Sequence, residues 1–318
     1  MEDYKTLDFD IHPVGTSRLS DVDFDNLKFG QVFSDHMFVM DYEGGEWKRG
    51  EISSFGPMTF SPAMMSLHYG QAIFEGMKAF RQNDGGISMF RPGENIKRFN
   101  FSARRMSMPE VPEDIMFQAI VELVKLDSNW VPSAPDSSLY IRPFMFATEG
   151  HVGVRPSNNY RLCVFTCPVG AYYTKPVRVK VETKFTRAAA GGTGAAKAAG
   201  NYAGSLYPTE LAKSEGYDQI LWTDGTTHTK VEECGTMNVG FVMDGTLVVP
   251  STSDTVLSGV TRASAVELMR HEGVDVEERV VEFLEYDAAS KAAPVTFPID
   301  GVSTMSLLLD AEMKLKTT

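Results

Sequence analysis

Two α/β domains are what this sequence predicts. Three observations carry that expectation. The chain has 318 residues, more than one hydrophobic core usually serves. Strand-like runs closed by Gly-containing turns alternate with amphipathic helical runs. A Pro- and Gly-bearing interruption, Pro168-Val-Gly-Ala-Tyr-Tyr173, separates the halves. The expected layout is a smaller N-terminal α/β domain over residues 1–169, a linker at 170–176, and a larger domain over 177–318.

Residues 1–35 carry little periodicity and read as a segment wrapped over the surface or a partner subunit. Residues 36–42 and 46–52, joined by Glu43-Gly44-Gly45, read as a hairpin. Residues 78–82 and 87–90 read as a second one, closed at Asp84-Gly85-Gly86. Pro92 starts a helix with Ile96, Phe99, Ala103 and Met106 on one face, and residues 114–125 form another. Runs 139–146 and 160–167 look like buried strands. Beyond the interruption, residues 177–186 alternate as a half-buried strand, and residues 201–215 read as a helix closed by Gly216. Strands follow at 219–223, 237–243 and 247–250, then a helix over 258–271 closed by Gly273.

Composition removes several classes of function. With 43% hydrophobic and 23% charged residues the chain is ordinary globular protein. A net charge of -12 argues against nucleic acid and anionic membrane surfaces as partners. No apolar run approaches the ~18 residues of a membrane span. The start, Met1-Glu-Asp-Tyr-Lys, lacks the features of a signal or transit peptide, so the expected compartment is cytoplasmic. Cysteines 163, 167 and 234 leave one odd, which fits a reducing environment. Cys163 and Cys167 stand about 13 Å apart along one strand, too far for a disulfide. Six scattered histidines show no helical pair, so no metal site is expected.

The stretch from Arg187 to Tyr202 carries the chemistry. Lys197 sits among Gly, Ala and small polar residues, with Arg187 the one other basic group. Glycine-rich backbone can approach a ligand closely. A lysine held away from water is disfavoured as an ammonium. The neutral amine is what Schiff-base chemistry with a carbonyl or with pyridoxal phosphate requires. The stretch fails as a dinucleotide fingerprint, because Lys197 occupies the last glycine position. It fails as a P-loop, because Ala196 and Ala198 flank the lysine. On composition alone it also reads as a flexible surface loop with a solvated lysine.

Gly-Gly-Thr-Gly-Ala-Ala-Lys197, followed by Gly200-Asn201-Tyr202, resembles the cofactor-lysine segment of branched-chain amino acid aminotransferases. These are fold-type IV enzymes that use pyridoxal 5'-phosphate (PLP), with a smaller α/β domain and a larger pseudo-barrel domain. The similarity runs from about Phe38 to about Ile299. It implies transfer of the amino group of leucine, isoleucine or valine to 2-oxoglutarate, with Lys197 as catalytic residue. Glu232-Glu233-Cys234-Gly235-Thr236-Met237-Asn238 matches the family's E-x-G-x-M-N, which maps the ring-nitrogen carboxylate onto Glu233 and leaves Glu232 as its outward neighbour. A carboxylate beside that nitrogen keeps it protonated, as an electron sink requires. Read without the family, an acidic pair near a turn is a solvated surface.

The resemblance assigns the cofactor phosphate to Arg98 and to the helix start at Val260 and Thr261, where dipole and free N–H groups favour an anion, and counts Thr236 among the cofactor-binding residues. Tyr202 is assigned to the phenolic oxygen. Phe74, Tyr69, Tyr140, Arg142, Tyr172, Ala292 and Ala293 are assigned to substrate; an aromatic wall suits branched aliphatic chains, and Tyr with Arg accommodates a carboxylate. In the family the Tyr and Arg reach the neighbouring subunit's site, which implies a homodimer. D-amino-acid aminotransferase and aminodeoxychorismate lyase share the fold, but Phe74-Glu-Gly-Met77 and Tyr140-Ile-Arg142 disfavour them. A catalytically silent paralogue kept as a binding partner is the alternative of a different class.

One region departs from the pattern. Family members carry a late Gly-Thr-Ala turn; here Ala288-Ala-Ser-Lys-Ala-Ala-Pro294 stands in its place, shortened and without Gly-Thr. Pro294 also lacks an N–H donor, and the closing helix is reduced to residues 307–316. Losing one hydrogen bond to a charged group costs roughly 1.5–3 kcal/mol, about ten- to a hundredfold in binding. The expected outcome is an active enzyme with a raised KM or easy loss of cofactor on dialysis. Restoring Gly-Thr at the family's loop length should tighten one of the two. Firm cofactor retention and ordinary saturation in the unaltered protein would show that other donors replace the turn.

Overall fold

Strand formation in the first half follows the apolar alternation of the sequence. The computed structural model describes residues 9–171, 173, 176–243, 245–282 and 307–310. The chain divides into two units, Met1–Tyr172 and Tyr173–Thr318, of which the first is the longer.

In the first unit the elements are β1 (Phe9–Ile11), β2 (His36–Glu43), β3 (Glu46–Trp47), β4 (Gly50–Ser54), α1 (Met65–Tyr69), β5 (Ala72–Phe74), β6 (Met77–Arg81), β7 (Ile87–Met89), α2 (Pro92–Arg105), α3 (Glu113–Leu126), β8 (Ser138–Ala147) and β9 (Tyr160–Val169). The strands form one sheet in the order β1-β4-β2-β9-β8-β6-β7, with β3 joined to β2 and β5 to β8. Its spine is the antiparallel pair β8–β9, in register from Ser138↔Val169 to Ala147↔Tyr160.

The apolar face of α2 (Ile96, Phe99, Ala103) packs with Met116, Ile120 and Leu123 of α3 against Phe38, Met40, Ile141 and Met145 of the sheet. That burial is the main stabilising term of this unit. Because side chains alternate across a strand, the other face carries Tyr140, Arg142 and Phe144, all half-buried.

Residues 65–69 form the short helix α1, closed by Gly70 in the left-handed region at φ 64°. Strand β9 runs through Pro168 instead of stopping there. Its strand pairing with β2 ends at Phe165, and beyond that point β8 is the one strand paired with β9 among the described residues. A residue without an N–H is tolerated where one edge of a strand is free.

The second unit holds β10 (Val179–Val181), α4 (Ala199–Ser214), β11 (Gln219–Thr223), β12 (Val231–Cys234), β13 (Val239–Met243), β14 (Thr246–Pro250), α5 (Val260–His271), β15 (Val276–Arg279) and β16 (Leu307–Asp310). They form a three-stranded sheet, β10-β11-β12, and a four-stranded one, β15-β14-β13-β16. Leu221, Val231, Cys234, Val239, Phe241 and Val248 form one core cluster spanning both. The strand expected over residues 177–186 is cut to three residues, and residues 307–310, expected within a closing helix, instead form β16, paired parallel with β13. The Glu182 carboxylate accepts hydrogen bonds from Lys184 N at 2.8 Å and Phe185 N at 3.0 Å, which turns the chain out of the ladder.

The N-terminal segment is tied to its unit by Asp35, which is 4% exposed. Its carboxylate accepts from Ser17 Oγ (2.5 Å), Arg18 N (3.0 Å), Arg18 Nε (3.2 Å) and Trp130 Nε1 (2.9 Å). Burial pushes this carboxyl up, but the four donors outweigh burial and hold it below the ordinary value. A depressed carboxyl contributes stability above its unfolded pKa and loses it as pH falls through the folded value. Asp35→Ala should therefore lower stability by about 3–5 kcal/mol at neutral pH. The deficit should shrink below about pH 4, as read from urea midpoints at both pH values.

Candidate active site

Lys197 lies at the mouth of α4, one residue before the extended Ala198 that caps the helix. Its Nζ donates to the Tyr202 hydroxyl at 2.9 Å and stands 5.4 Å from the centre of that ring. Asn201 holds the preceding loop in place. Its amide donates to Thr193 O (2.8 Å) and Ala196 O (2.9 Å), and its oxygen accepts from Thr193 Oγ1 (2.7 Å). The Gly-Asn-Tyr motif is thus a clamp that presents the amine beside a phenol.

The lysine loop is stapled to residues 251–259, the loop that leads into α5. Ala195 N donates to Asp254 O (2.9 Å), Gly191 N donates to Asp254 Oδ2 (2.6 Å), and the Arg187 guanidinium donates to Thr255 O. At Gly194 the two backbones come so close that a Cβ would stand 2.8 Å from Thr255 Cα. Only glycine fits there.

Glu233 faces the same loop and is 3% exposed. Its Oε1 accepts from Leu257 N at 2.7 Å, and its Oε2 lies 3.1 Å from Arg187 Nε. The contact with Arg187 is one of charge, since the Nε hydrogen makes no aligned hydrogen bond. Burial pushes the Glu233 carboxyl up; Arg187, the Leu257 N–H and Lys197 oppose that shift, and Glu232 adds to it. Lys197 and Glu233 therefore share one electrostatic environment.

The outward placement expected for Glu232 is wrong. Glu232 is 8% exposed, and its Oε1 accepts from Thr255 Oγ1 at 2.5 Å. The physical reason is a β-bulge. Trp222 pairs with Glu233 and the next residue, Thr223, pairs with Val231, so Glu232 is the extra residue on β12. A bulge breaks the strict alternation of faces, and both glutamates reach the loop at 251–259.

Helix α5 begins at Val260 with Gly259 as its cap residue and no side-chain cap. The backbone N–H groups of Val260 and Thr261 lie in its first turn, where a helix favours an anion. A side chain at Gly259 would collide with Asn238 Oδ1, and Asn238 Nδ2 donates to Leu257 O at 2.8 Å. Thr236 is exposed in the tight turn between β12 and β13, where Cys234 and Met237 exchange backbone hydrogen bonds.

In the first unit Arg98 is far from the solvated helix residue that α2 taken alone suggests. Its Nε and Nη2 donate to Glu75 at 2.6 and 2.9 Å, and Glu75 is fully buried. Asn95 Nδ2 and Gly76 N each donate to the same carboxylate at 3.0 Å. This bidentate pair fixes the guanidinium plane. Sequence reasoning missed Glu75, although Phe74-Glu-Gly-Met77 was in view.

Phe74, Tyr140 and Arg142 lie together. Arg142 Nη2 donates to the Tyr140 hydroxyl at 2.9 Å, and its guanidinium carbon lies 4.6 Å from the Phe74 ring centre. The hydroxyl passes directly over Gly76, where any Cβ would collide with it. Two further residues escaped the sequence. Phe29 packs edge-on to Tyr140 at 5.1 Å, so the segment at 1–35 delivers an aromatic ring to this face. Lys78 lies opposite Tyr140 on β6, and burial lowers its ammonium to about 8, with Cys167 opposing. Tyr69 ends α1 and is 40% exposed. Tyr172, Ala292 and Ala293 lie outside the described residues. No cluster of three or more metal-binding side chains occurs among the described residues.

The family described as "Amino-transferase class IV" matches residues 72–293, more than half the chain. The chain is 48% identical over 276 residues to "Branched-chain-amino-acid transaminase 1" of Bacillus subtilis (strain 168), covering 85% of this chain and 78% of that protein. It is 42% identical over 280 residues to the branched-chain-amino-acid aminotransferase of Mycolicibacterium smegmatis, covering 85% and 76%. The chain belongs to the branched-chain amino acid aminotransferases of class IV. Their fold is evident in the structure as well. The crystal structure of the Escherichia coli enzyme superposes with a TM-score of 0.64 at 26% identity, over 76% of this chain and 77% of that one. A second branched-chain amino acid aminotransferase, that of T.th., solved with pyridoxamine 5'-phosphate, gives 0.65 at 26%, over 76% of each chain.

Within this aminotransferase chain, the joint between the lysine loop and residues 251–259 makes a sharp prediction. Gly194→Ala forces two backbones apart, and overpacking of that kind costs about 1–3 kcal/mol. The melting temperature should fall by several degrees, and protease cleavage within residues 187–198 should accelerate. An unchanged Tm would contradict the contact.

Proposed function

We propose that this protein transfers the amino group of leucine, isoleucine and valine to 2-oxoglutarate, giving the branched-chain 2-oxo acids and glutamate, with PLP as cofactor. Family membership supports the reaction. The observation that carries the site is the Lys197 amine on the Tyr202 hydroxyl at 2.9 Å, in the electrostatic reach of a buried Glu233.

The groups present suit PLP on three counts. A buried carboxyl with raised proton affinity calls for a cationic N–H partner, which a pyridine ring nitrogen supplies. A lysine beside a phenol suits an aldehyde next to a ring hydroxyl. A helix start without a side-chain cap suits a phosphate. Lys197 would hold the cofactor covalently, Glu233 would face its ring nitrogen, and Tyr202 its phenolic oxygen. Val260 and Thr261 would hold the phosphate, to which the family resemblance also assigns Arg98, and Thr236 would complete the cofactor contacts. When bound, PLP supplies an electron sink for the carbanion formed at the substrate's α-carbon.

The chain's own residues do the rest. Lys197 Nζ, once displaced by the incoming amine, would be free to move the α-proton of the amino acid as general base and then acid. The Tyr202 hydroxyl orients that amine. Arg187 and the Leu257 N–H favour the charged form of Glu233 against the burial that opposes it. Phe74 and Tyr140 offer an apolar wall to a branched side chain, and Arg142 with the Tyr140 hydroxyl meets a carboxylate. Tyr69, Tyr172, Ala292 and Ala293 complete the substrate assignment.

A homodimer is part of the proposal. Leu67, Tyr69, Val152 and Val154 expose 65%, 40%, 68% and 90% of their surfaces in the first unit, as residues that meet a second copy do. A cytoplasmic location is proposed from three free buried thiols. No helix among the described residues is long and apolar enough to cross a membrane.

Lys197→Ala should abolish leucine-dependent glutamate formation while leaving a folded protein that still takes up cofactor non-covalently. Borohydride reduction of the unaltered holoenzyme, followed by peptide mapping, should place the cofactor on Lys197. Label on any other lysine would overturn the assignment.

A further inference from the structure

Two adjacent glutamates in the second unit are both buried, and only one has a role in the proposed reaction. Glu232 is the bulged residue of β12. Its Oε1 accepts from Thr255 Oγ1 at 2.5 Å, and its Oε2 has no hydrogen-bond partner among the described residues. Thr255 continues the chain of contacts, since its Oγ1 also meets Ser253 Oγ at 2.9 Å. The same residue's carbonyl receives the Arg187 guanidinium. Two residues on, Leu257 N donates to Glu233.

We propose that Glu232 is a positioning residue. Acting through Thr255, it pins the loop at 251–259 so that the Leu257 N–H and Arg187 both stay on the Glu233 carboxylate. The inference rests on the reading that Glu233 faces the cofactor ring.

Glu232 does this as a neutral acid. An ionised carboxylate with one bare, buried oxygen is far costlier than a carboxylic acid with one bare O–H. Burial pushes this carboxyl up, Asp224 and Asp254 add to that, and Thr255 and Arg187 oppose it. Arg187 has a carboxylate oxygen at ion-pair distance in Glu233. A neutral Glu232 leaves the guanidinium to that one charge. The bulge has a purpose in this account: it turns a second side chain inward to brace the loop without adding a second negative charge beside the first.

The test uses the holoenzyme and four substitutions. Thr255→Val and Glu232→Ala should each speed cofactor loss on dialysis by roughly tenfold. Both should move the pH at which the bound cofactor's absorbance changes. The double variant should do no worse than either alone, because the two residues form one brace. Glu232→Gln keeps the oxygen that Thr255 meets and carries no charge, so it should hold cofactor and titrate as the unaltered protein does. Glu233→Ala serves as the control for the underlying reading and should cost several orders of magnitude in rate.

Additive losses in the double variant would overturn the brace. A shifted absorbance midpoint in Glu232→Gln would overturn the neutral form. If Glu233→Ala is mild, the assignment of Glu233 fails instead, and the two failures are distinguished. Should Glu232→Ala not fold, Thr255→Val and Glu232→Gln decide the matter.

Discussion

A carboxyl in a dry place is the constraint on which the second unit depends. Glu233 is 3% exposed, and an unpaired buried carboxylate is strongly unfavourable. The fold compensates with a backbone N–H from Leu257, a guanidinium from Arg187 and the field of Lys197. Removing one partner of such a pair costs about 3–5 kcal/mol, a large share of a domain's net stability. The two loops that supply these partners must therefore be held in place.

The stapling of those loops follows from that need. Asp254 receives two N–H groups of the lysine loop, Thr255 receives Arg187, and Gly194 lets the backbones touch. Lys197, just before α4, and Tyr202, in its first turn, are then presented together. Glycine enrichment around the lysine, which composition alone also assigns to a flexible loop, is explained by close packing. The loop is small because another backbone lies against it. The first unit repeats the theme with a fully buried Glu75 that orients Arg98 through two hydrogen bonds.

Much of this was legible in the sequence because it is local. Periodicity locates α2, α3, α4 and α5, and the Gly-Asn-Tyr motif after Lys197 points to the clamp. What stayed hidden depends on partners distant in the chain. The inward turn of Glu232 comes from a register shift against Thr223, which alternation within β12 cannot reveal. Glu75 was passed over because a lone acid between Phe74 and Gly76 shows its purpose only when Arg98 is folded over it. Phe29 lies in an aperiodic segment, and its meeting with Tyr140 joins positions far apart in the chain. The passage of β9 through Pro168 depends on where β2 stops. Tertiary context overrides local propensity in each case.

In the proposed site Glu233 keeps the ring nitrogen of the bound cofactor protonated. Nitrogen-15 NMR of the enzyme reconstituted with ring-labelled PLP measures that directly. The chemical shift of a protonated pyridine nitrogen is expected in the unaltered protein, and a shift to the unprotonated value in Glu233→Ala. An unprotonated nitrogen in the unaltered protein, or a protonated one that survives Glu233→Ala, would contradict it.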